Sequence, residues 1–253
     1  MIEIFRSLAA YQHVLEQVRT KTPLPPLGLA RATRLPILAA LLADVQVPVL
    51  FITDRSDHAL TILDEVGFWT QQTSHRAYPE PNPMFYEQAA WGTSTRRDRL
   101  QALGLLALYH LPSAPRPASP PLIVATLRAV MARTMPRRDF IKNLRTLKRG
   151  QQVKPEALRR AWVDVGYQPA EIVVEAGQFA QRGGILDIWP VAERDPLRFE
   201  FFGDEIDTIR RFDPASQRTI QPVDQVLISQ ARELLIGKAL GVGLELQELN
   251  ELH

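Results

Sequence analysis

The sequence predicts an α/β domain followed by a smaller α+β domain that carries an antiparallel sheet. In the first part, helical spacing of apolar residues alternates with two short, continuous apolar runs, which is typical of strands covered by helices. Beyond about residue 140 the pattern changes to short runs of period-two alternation, separated by Gly-Gly, Pro and Gly-Asp pairs. The chain has 253 residues, which is long enough for two domains.

The α/β part opens with a helix predicted over Ile2–Val18, where apolar residues recur at helical spacing. A proline-rich stretch ends it, and a second helix is predicted over Leu35–Leu42 with Pro36 in its first turn. Val47–Thr53 is a continuous apolar run, which predicts a strand buried on both faces. A further helix is predicted over Asp57–Val66, with its first residue as the N-cap.

The remaining elements follow the same reasoning. Thr95–Leu111 is predicted as a helix, and Leu122–Thr126 as a second buried strand. Two proline-punctuated stretches, Tyr78–Glu87 and Pro112–Pro121, are predicted as loops. In the α+β part, Lys154–Val165 is predicted as a helix opened by a proline, and the hairpin-forming runs follow it.

These patterns divide the chain into three parts. Residues 1–139 form the predicted α/β domain, and residues 140–220 form the predicted α+β domain. Residues 221–253 are too few for a further domain, and we expect them to begin a segment that returns to the first sheet.

The sequence lacks the motifs of the common catalytic sites. There is no G-x-x-x-x-G-K-[ST] and no G-x-G-x-x-G motif, so no phosphate cradle is predicted. The absence of cysteine excludes disulfides and thiolate metal sites, and the histidines lack ligand spacing. Carboxylates between Asp187 and Asp207 are interleaved with arginines, which favours ion pairs over a metal site. We therefore expect no catalytic residue, no cofactor and no metal in this chain.

Signals for membrane insertion or export are also missing from the sequence. No apolar run approaches the ~20 residues that span a bilayer. The first residues carry Glu3 and Glu16 and are typical of an amphipathic helix rather than a signal peptide. Together with the lack of cysteine, these features predict a cytoplasmic protein without a membrane partner.

Positive charge is concentrated in one segment, although the net charge is only +2. Arg133–Arg160 carries many arginines and lysines, with Asp139 and Glu156 as its acids. Such a segment could meet phosphate groups or an acidic protein, and the alternative is a solvated basic face without a ligand. The candidate nucleic-acid contacts are Arg137, Arg138, Lys142, Arg145, Lys148 and Arg149.

The run LRFEFF carries the most informative constellation. Its alternation places Leu197, Phe199 and Phe201 on one strand face and Arg198, Glu200 and Phe202 on the other. Phe202 thus puts an aromatic ring on the polar face, and Arg182 precedes the Gly-Gly turn of the neighbouring run. Arginine and aromatic residues are enriched at protein-binding hot spots. The alternative is that Phe202 lies under a loop and Arg198 pairs with Glu200 or Asp204.

Two strings, GQFAQRGGILDIWP and LRFEFFGDEIDTIRRFDPASQRT, closely resemble the signature of the transcription-repair coupling factors, the Mfd family, with UvrB as a more distant relative. Weaker matches, including PVLFITDRSDHA and IVATLRAVMART, extend the resemblance over nearly the whole chain. The resemblance implies a degenerate helicase-like, UvrB-like α/β domain with an inserted α+β domain that binds the excision-repair protein UvrA. It also implies that Arg182, Arg198 and Phe202 contact UvrA.

The function implied by the resemblance is that of a non-catalytic module that recruits UvrA in transcription-coupled nucleotide excision repair. Full-length family members are ATP-dependent DNA translocases that also bind RNA polymerase, and we expect ATP and RNA polymerase to be bound by parts absent from this chain. One alternative is a non-specific DNA-binding domain of a UvrB-like repair protein. Another is a UvrB-type enzyme fragment, against which the missing phosphate-binding loop argues. We expect Phe202→Ala and Arg198→Glu each to abolish UvrA binding without unfolding the chain.

Overall fold

The computed structural model describes residues 2–70, 74–81, 92–111 and 119–233. Backbone contacts divide the chain into two compact units, Met1–Ala132 and Arg133–His253. The mixed α/β class is confirmed, and the division at residues 139 and 220 stays a prediction. Most of the two predicted proline-rich loops lies outside the described residues, as does the end of the predicted returning segment.

Among its described residues, the first unit is organised by a three-stranded parallel sheet. The helices and strands of this unit are α1 (Glu3–Arg6), α2 (Ala9–Arg19), α3 (Arg31–Val45), β1 (Val49–Thr53), α4 (Ser56–Trp69), β2 (His75–Tyr78), α5 (Thr93–His110), β3 (Leu122–Thr126) and α6 (Leu127–Met131). The strand order is β1-β3-β2. Leu122 and Val124 pack with residues of α3 and α4, and Ile123 and Ala125 pack with residues of α5. Every residue of β3 is therefore buried, which confirms the predicted second strand.

The predicted first helix is two helices, because the backbone is extended at Leu8. Both α1 and α2 contact α3. Arg6 of α1 forms a 2.6 Å ion pair with Asp44 of α3, and Tyr11 of α2 packs with Ala40. The bend lets two short helices reach the same neighbour, which helical periodicity alone could not reveal.

Two predictions about α3 and β1 were wrong in detail. The α3 helix begins at Arg31, so Pro36 lies inside it rather than in the first turn. Pro36 is buried, so tertiary packing outweighs the loss of one backbone hydrogen bond. Leu50 and Ile52 of β1 are half-exposed, because β1 is an edge strand and only its alternate residues face the core formed with α3 and α4.

The start of α4 also differs from the prediction. The N-cap is Arg55, and Asp57 lies in the first turn. The Asp57 carboxylate accepts hydrogen bonds from the Arg55 side chain at 3.0 and 2.9 Å, and this side chain is its main partner. Strand β2 was not predicted, since it is four residues long and half polar, whereas the predicted helix near Thr95 is confirmed as α5.

An antiparallel sheet dominates the second unit, as predicted. Its elements are α7 (Arg137–Asn143), β4 (Arg145–Lys148), α8 (Pro155–Asp164), β5 (Gln168–Pro169), β6 (Gln178–Arg182), β7 (Ile185–Ile188), β8 (Leu197–Phe202), β9 (Glu205–Phe212), β10 (Thr219–Pro222) and β11 (Gln225–Ile228). Within the described residues, six strands follow the order β10-β9-β8-β7-β6-β5, and β5 and β6 are parallel. Strands β4 and β11 form a separate antiparallel pair. The predicted helix over Lys154–Val165 is confirmed as α8, with its proline in the first turn.

One face of this sheet packs against α8 through aromatic side chains. The ring of Trp162 lies 5.8 Å from that of Phe179 and 6.2 Å from that of Phe199, measured between ring centroids. Leu186 and Leu197 are fully buried on the same side. The inward alternation of LRFEFF is thereby confirmed, and Arg198, Glu200 and Phe202 lie on the opposite face.

Candidate functional site: the hairpin-tip face

Two tight hairpins end side by side at one edge of the sheet. The β6–β7 turn begins with Gly183 (φ +57°) and the β8–β9 turn with Gly203 (φ +62°), a conformation that glycine adopts without steric cost. The N–H of Phe201 donates to the carbonyl of Gly184 at 2.8 Å, which joins the two hairpins close to their tips. A Cβ on Gly184 would lie 3.2 Å from the Phe201 carbonyl oxygen, so a side chain there would crowd the backbone where the two hairpins meet.

The strand pairing brings the predicted residues onto one face of the sheet. Ile185 lies opposite Arg182 on one side and Glu200 on the other. Asp187 lies two residues beyond Ile185 on β7, and it pairs with Arg198 on β8. Because residues two apart on a strand share a face, these side chains project on the same side as the last residue of β8. We call this surface the hairpin-tip face and define it by Arg182, Ile185, Asp187, Arg198, Glu200 and Phe202.

Phe202 is the most exposed member of the hairpin-tip face, at 84% of its maximum. It is the last residue of β8 and stands immediately before Gly203. The alternative that this ring lies under a loop is therefore wrong. An aromatic ring left in water at a hairpin tip is the type of side chain that a partner protein can bury.

Arg198 is held inside the unit by a buried carboxylate. Its Nε and Nη2 donate to the two carboxylate oxygens of Asp187, both at 2.8 Å, and Asp187 is buried. Nη2 also donates to Oε1 of Gln217 at 3.0 Å, and the guanidinium lies 4.5 Å from the ring centroid of Phe212. The hydrogen bonds that Arg198 donates to Asp187 raise the pKa of Arg198 above its ordinary value. The charge of Arg198 is thus largely compensated within the protein.

The pairing that we considered as an alternative, Arg198 with Glu200 or Asp204, is wrong because the acceptor is Asp187. Glu200 accepts instead from Arg210 at 3.0 Å. A strand pattern identifies which residues share a face, but it does not identify cross-strand partners, so the sequence carried no signal for Asp187.

Arg182 differs from Arg198 in exposure and in pairing. Its side chain is half-exposed, and its nearest carboxylate oxygen is that of Asp187 at 3.8 Å. Asp187 already accepts both shorter hydrogen bonds from Arg198, so it compensates Arg182 only weakly. Arg182 therefore presents positive charge to solvent on the same face as the exposed ring.

The signature string DPASQ forms the turn that positions Gln217. Oδ1 of Asp213 accepts from the N–H and the hydroxyl of Ser216, both at 2.7 Å, and the Ser216 N–H lowers the pKa of Asp213. Gln217 follows with a left-handed backbone, φ +59°. Its side chain and its carbonyl both face Arg198. This part of the string thus helps to hold the Arg198 side chain of the hairpin-tip face in place.

The predicted nucleic-acid contacts are all exposed, but they occupy several elements. Arg137, Arg138 and Lys142 lie on α7, Arg145 and Lys148 lie on β4, and Arg149 follows β4. Lys148 and Arg149 line an open cleft of about 450 Å³ together with Glu205, Asp207 and Asp224. Around this cleft the positive charge is interleaved with carboxylates. DNA contact by the six predicted residues stays a prediction.

The described ranges contain neither a metal-binding cluster nor a membrane-spanning helix. Among these residues, no three His, Asp or Glu side chains form a group able to hold a metal ion. In the same part of the chain, no helix is long and apolar enough to cross a bilayer. The expected absence of a cofactor stays an expectation.

Comparison with known proteins places the hairpin-tip face within a recognised domain. The sequence model of the UvrB interaction domain family matches residues 146–234. Residues 146–234 are thus similar to a UvrB interaction domain. The matched range runs from within β4 to past β11, so all members of the hairpin-tip face lie inside it.

Similarity to whole proteins extends beyond the UvrB interaction domain. The transcription-repair-coupling factor of Bacillus subtilis (strain 168) is 28% identical over 209 residues, 83% of this chain and 17% of that protein. That of Escherichia coli (strain K12) is 31% identical over 198 residues, 76% of this chain and 16% of that protein. The UvrABC system protein B of Gloeothece citriformis (strain PCC 7424) is 33% identical over 139 residues, 52% of this chain and 21% of that protein. The chain is thus homologous to coupling factors over most of its length, and it spans less than a quarter of each of these relatives.

Proposed function

We propose that this chain recruits UvrA in transcription-coupled nucleotide excision repair and that it acts by binding, without catalysis. The UvrB interaction domain and the homology to coupling factors support this assignment. The observation that carries it is the ring of Phe202, which is 84% exposed on the hairpin-tip face, together with the half-exposed Arg182 of the same face. An exposed aromatic ring and a weakly compensated arginine on one face have the composition of a binding hot spot.

In this proposal the three predicted contact residues have different roles in binding UvrA. Phe202 enters an apolar pocket on UvrA and supplies most of the binding free energy. Arg182 meets a carboxylate of UvrA, which favours association and orientation more than affinity. Arg198 acts mainly through Asp187, by holding β7 and β8 so that the exposed side chains keep their positions.

The decisive experiment is a titration of the chain against UvrA. Phe202→Ala removes the ring, and Phe68→Ala is the matched control, because Phe68 is 86% exposed but belongs to the first unit. Arg198→Glu is a poor test, contrary to our expectation from sequence, since it would leave the buried Asp187 unpaired and facing a second carboxylate. We expect saturable binding by the native chain and by Phe68→Ala, and a large loss in Phe202→Ala. No binding by the native chain would exclude the proposed function.

ATP hydrolysis and contact with RNA polymerase belong, in this proposal, to parts of the longer relatives that these residues do not match. The sequence of this chain lacks a phosphate-binding loop motif, which supports that division. An ATPase assay of the chain, alone and with saturating DNA, should show no turnover. Turnover by this chain would contradict the binding-only role.

A second candidate function is non-specific DNA binding through the basic segment. The exposure of all six predicted cations favours it, and the carboxylates lining the cleft near Lys148 oppose it. DNA binding and UvrA recruitment use different residues, so charge reversal on α7 and removal of the Phe202 ring separate the two functions.

A further inference from the structure

The geometry points to Ile185 as a second apolar contact of the hairpin-tip face. The partner surface that fits is an apolar cleft wide enough for two neighbouring side chains, with a single carboxylate at its edge. This inference rests on the proposed function and specifies the chemistry of the UvrA surface.

Ile185 lies next to Phe202 through the pairing of β7 with β8. It is the first residue of β7 and is directly opposite Glu200. Phe202 is two residues beyond Glu200 on β8, which makes it a diagonal neighbour of Ile185 on the same face. Diagonal neighbours are about 7–8 Å apart, within reach of an aromatic side chain. The two apolar side chains therefore form one patch.

Ile185 is also exposed where the rest of its strand is buried. It is 37% exposed, whereas Leu186, Asp187 and Ile188 are all buried. A single exposed isoleucine needs no explanation, but an isoleucine beside a ring as exposed as that of Phe202 extends one apolar surface.

Charged groups border this patch on both sides. Arg182 stands across β6–β7 from Ile185, and Glu200 with its partner Arg210 stands on the β8–β9 side. An apolar centre with a polar rim is the usual arrangement of a protein-binding hot spot.

The charge balance of the face specifies the complementary surface. Arg198 is compensated by Asp187 and Glu200 by Arg210, which leaves Arg182 as the weakly paired charge of this face. One carboxylate on the partner is enough to complement it. Binding should therefore depend only modestly on salt, unlike that of a strongly basic surface to an acidic one.

The test compares matched isoleucines on the same sheet. Ile185→Thr keeps the β-branched shape that strands favour but removes apolar surface, and Ile220→Thr makes the same change at a residue 52% exposed on the edge strand β10. We expect UvrA to dissociate about three- to tenfold faster from Ile185→Thr, with Ile220→Thr unchanged. Ile185→Leu, which retains apolar surface, should dissociate at nearly the native rate. The dissociation rate is the readout because it does not depend on the fraction of protein that is folded.

The outcomes separate this inference from the proposed function. If Phe202→Ala weakens binding while Ile185→Thr dissociates like the native chain, the second contact is wrong and the recruitment role stands. If UvrA dissociates faster from Ile185→Thr and from Ile220→Thr to the same extent, the effect is not specific to the hairpin-tip face and the inference also fails. Absence of binding by the native chain removes both.

Discussion

Replacing Phe202 with alanine removes the ring from the hairpin-tip face and leaves the backbone pairing of β8 with β9 in place. A phenylalanine buries about 150–250 Å² when it is enclosed, and this one is 84% exposed before binding, so nearly all of that area is available to a partner. At ~25 cal/mol per Å² the upper limit is about 4–6 kcal/mol. Truncation of hot-spot residues commonly costs ~2–4 kcal/mol, which corresponds to a rise in Kd of about 30- to 1000-fold.

Isothermal titration of UvrA with the native chain and with Phe202→Ala measures this difference directly. The free energy of unfolding, from urea titration, should change by less than about 1 kcal/mol, because an exposed ring contributes little to the folded state. Phe68→Ala should leave both quantities unchanged. A Kd of Phe202→Ala within about threefold of the native value would refute the argument, since a difference that small corresponds to less than about 1 kcal/mol.

The remaining predictions concern the support of the face, its turn and the basic segment. Asp187→Ala should lower the free energy of unfolding by about 3–5 kcal/mol in urea titrations, since it leaves Arg198 without its carboxylate. Adding Arg198→Met to this variant should recover part of that stability. Equal losses in the single and double variants would contradict the role of this ion pair. Hydrogen bonding lowers the pKa of Asp213 below its ordinary 3.8, so its stabilising contribution is present above that pH and is lost as the pH falls through the lowered value. Asp213→Asn should therefore show a weaker fall of the unfolding midpoint on acidification, and an unaltered pH profile would count against the role of this turn. The basic segment predicts DNA affinity that falls steeply with salt and is reduced by Arg137→Glu with Arg138→Glu, and no measurable binding at low salt would exclude it.

Local sequence patterns were sufficient to predict the structure where it depends on residues that are neighbours along the chain. The alternation of LRFEFF placed Phe202 on the outward face, because successive side chains of a strand point to opposite sides. The Gly-Gly and Gly-Asp pairs located both hairpin turns, because glycine tolerates the positive φ that such turns need. The all-buried strand at Leu122–Thr126 was recognisable from its continuous apolar run.

The same patterns did not predict burial or helix boundaries where a residue is surrounded by distant parts of the chain. The same kind of apolar run in β1 lies at a sheet edge, so Leu50 and Ile52 are half-exposed, and strand order cannot be read from either run. Pro36 lies within a helix because the helix starts earlier than its apolar residues suggest.

By itself the sequence determined the class of fold, the domain family and the outward direction of the Phe202 ring, because these follow from periodicity and from a long diagnostic string. Only the tertiary structure decided that Arg198 is bound to the buried Asp187, that the Arg182 side chain is half-exposed and that Ile185 lies on the same face as the exposed ring. The physical reason is that cross-strand pairing depends on register, and register is set by how all the strands of the sheet pack together.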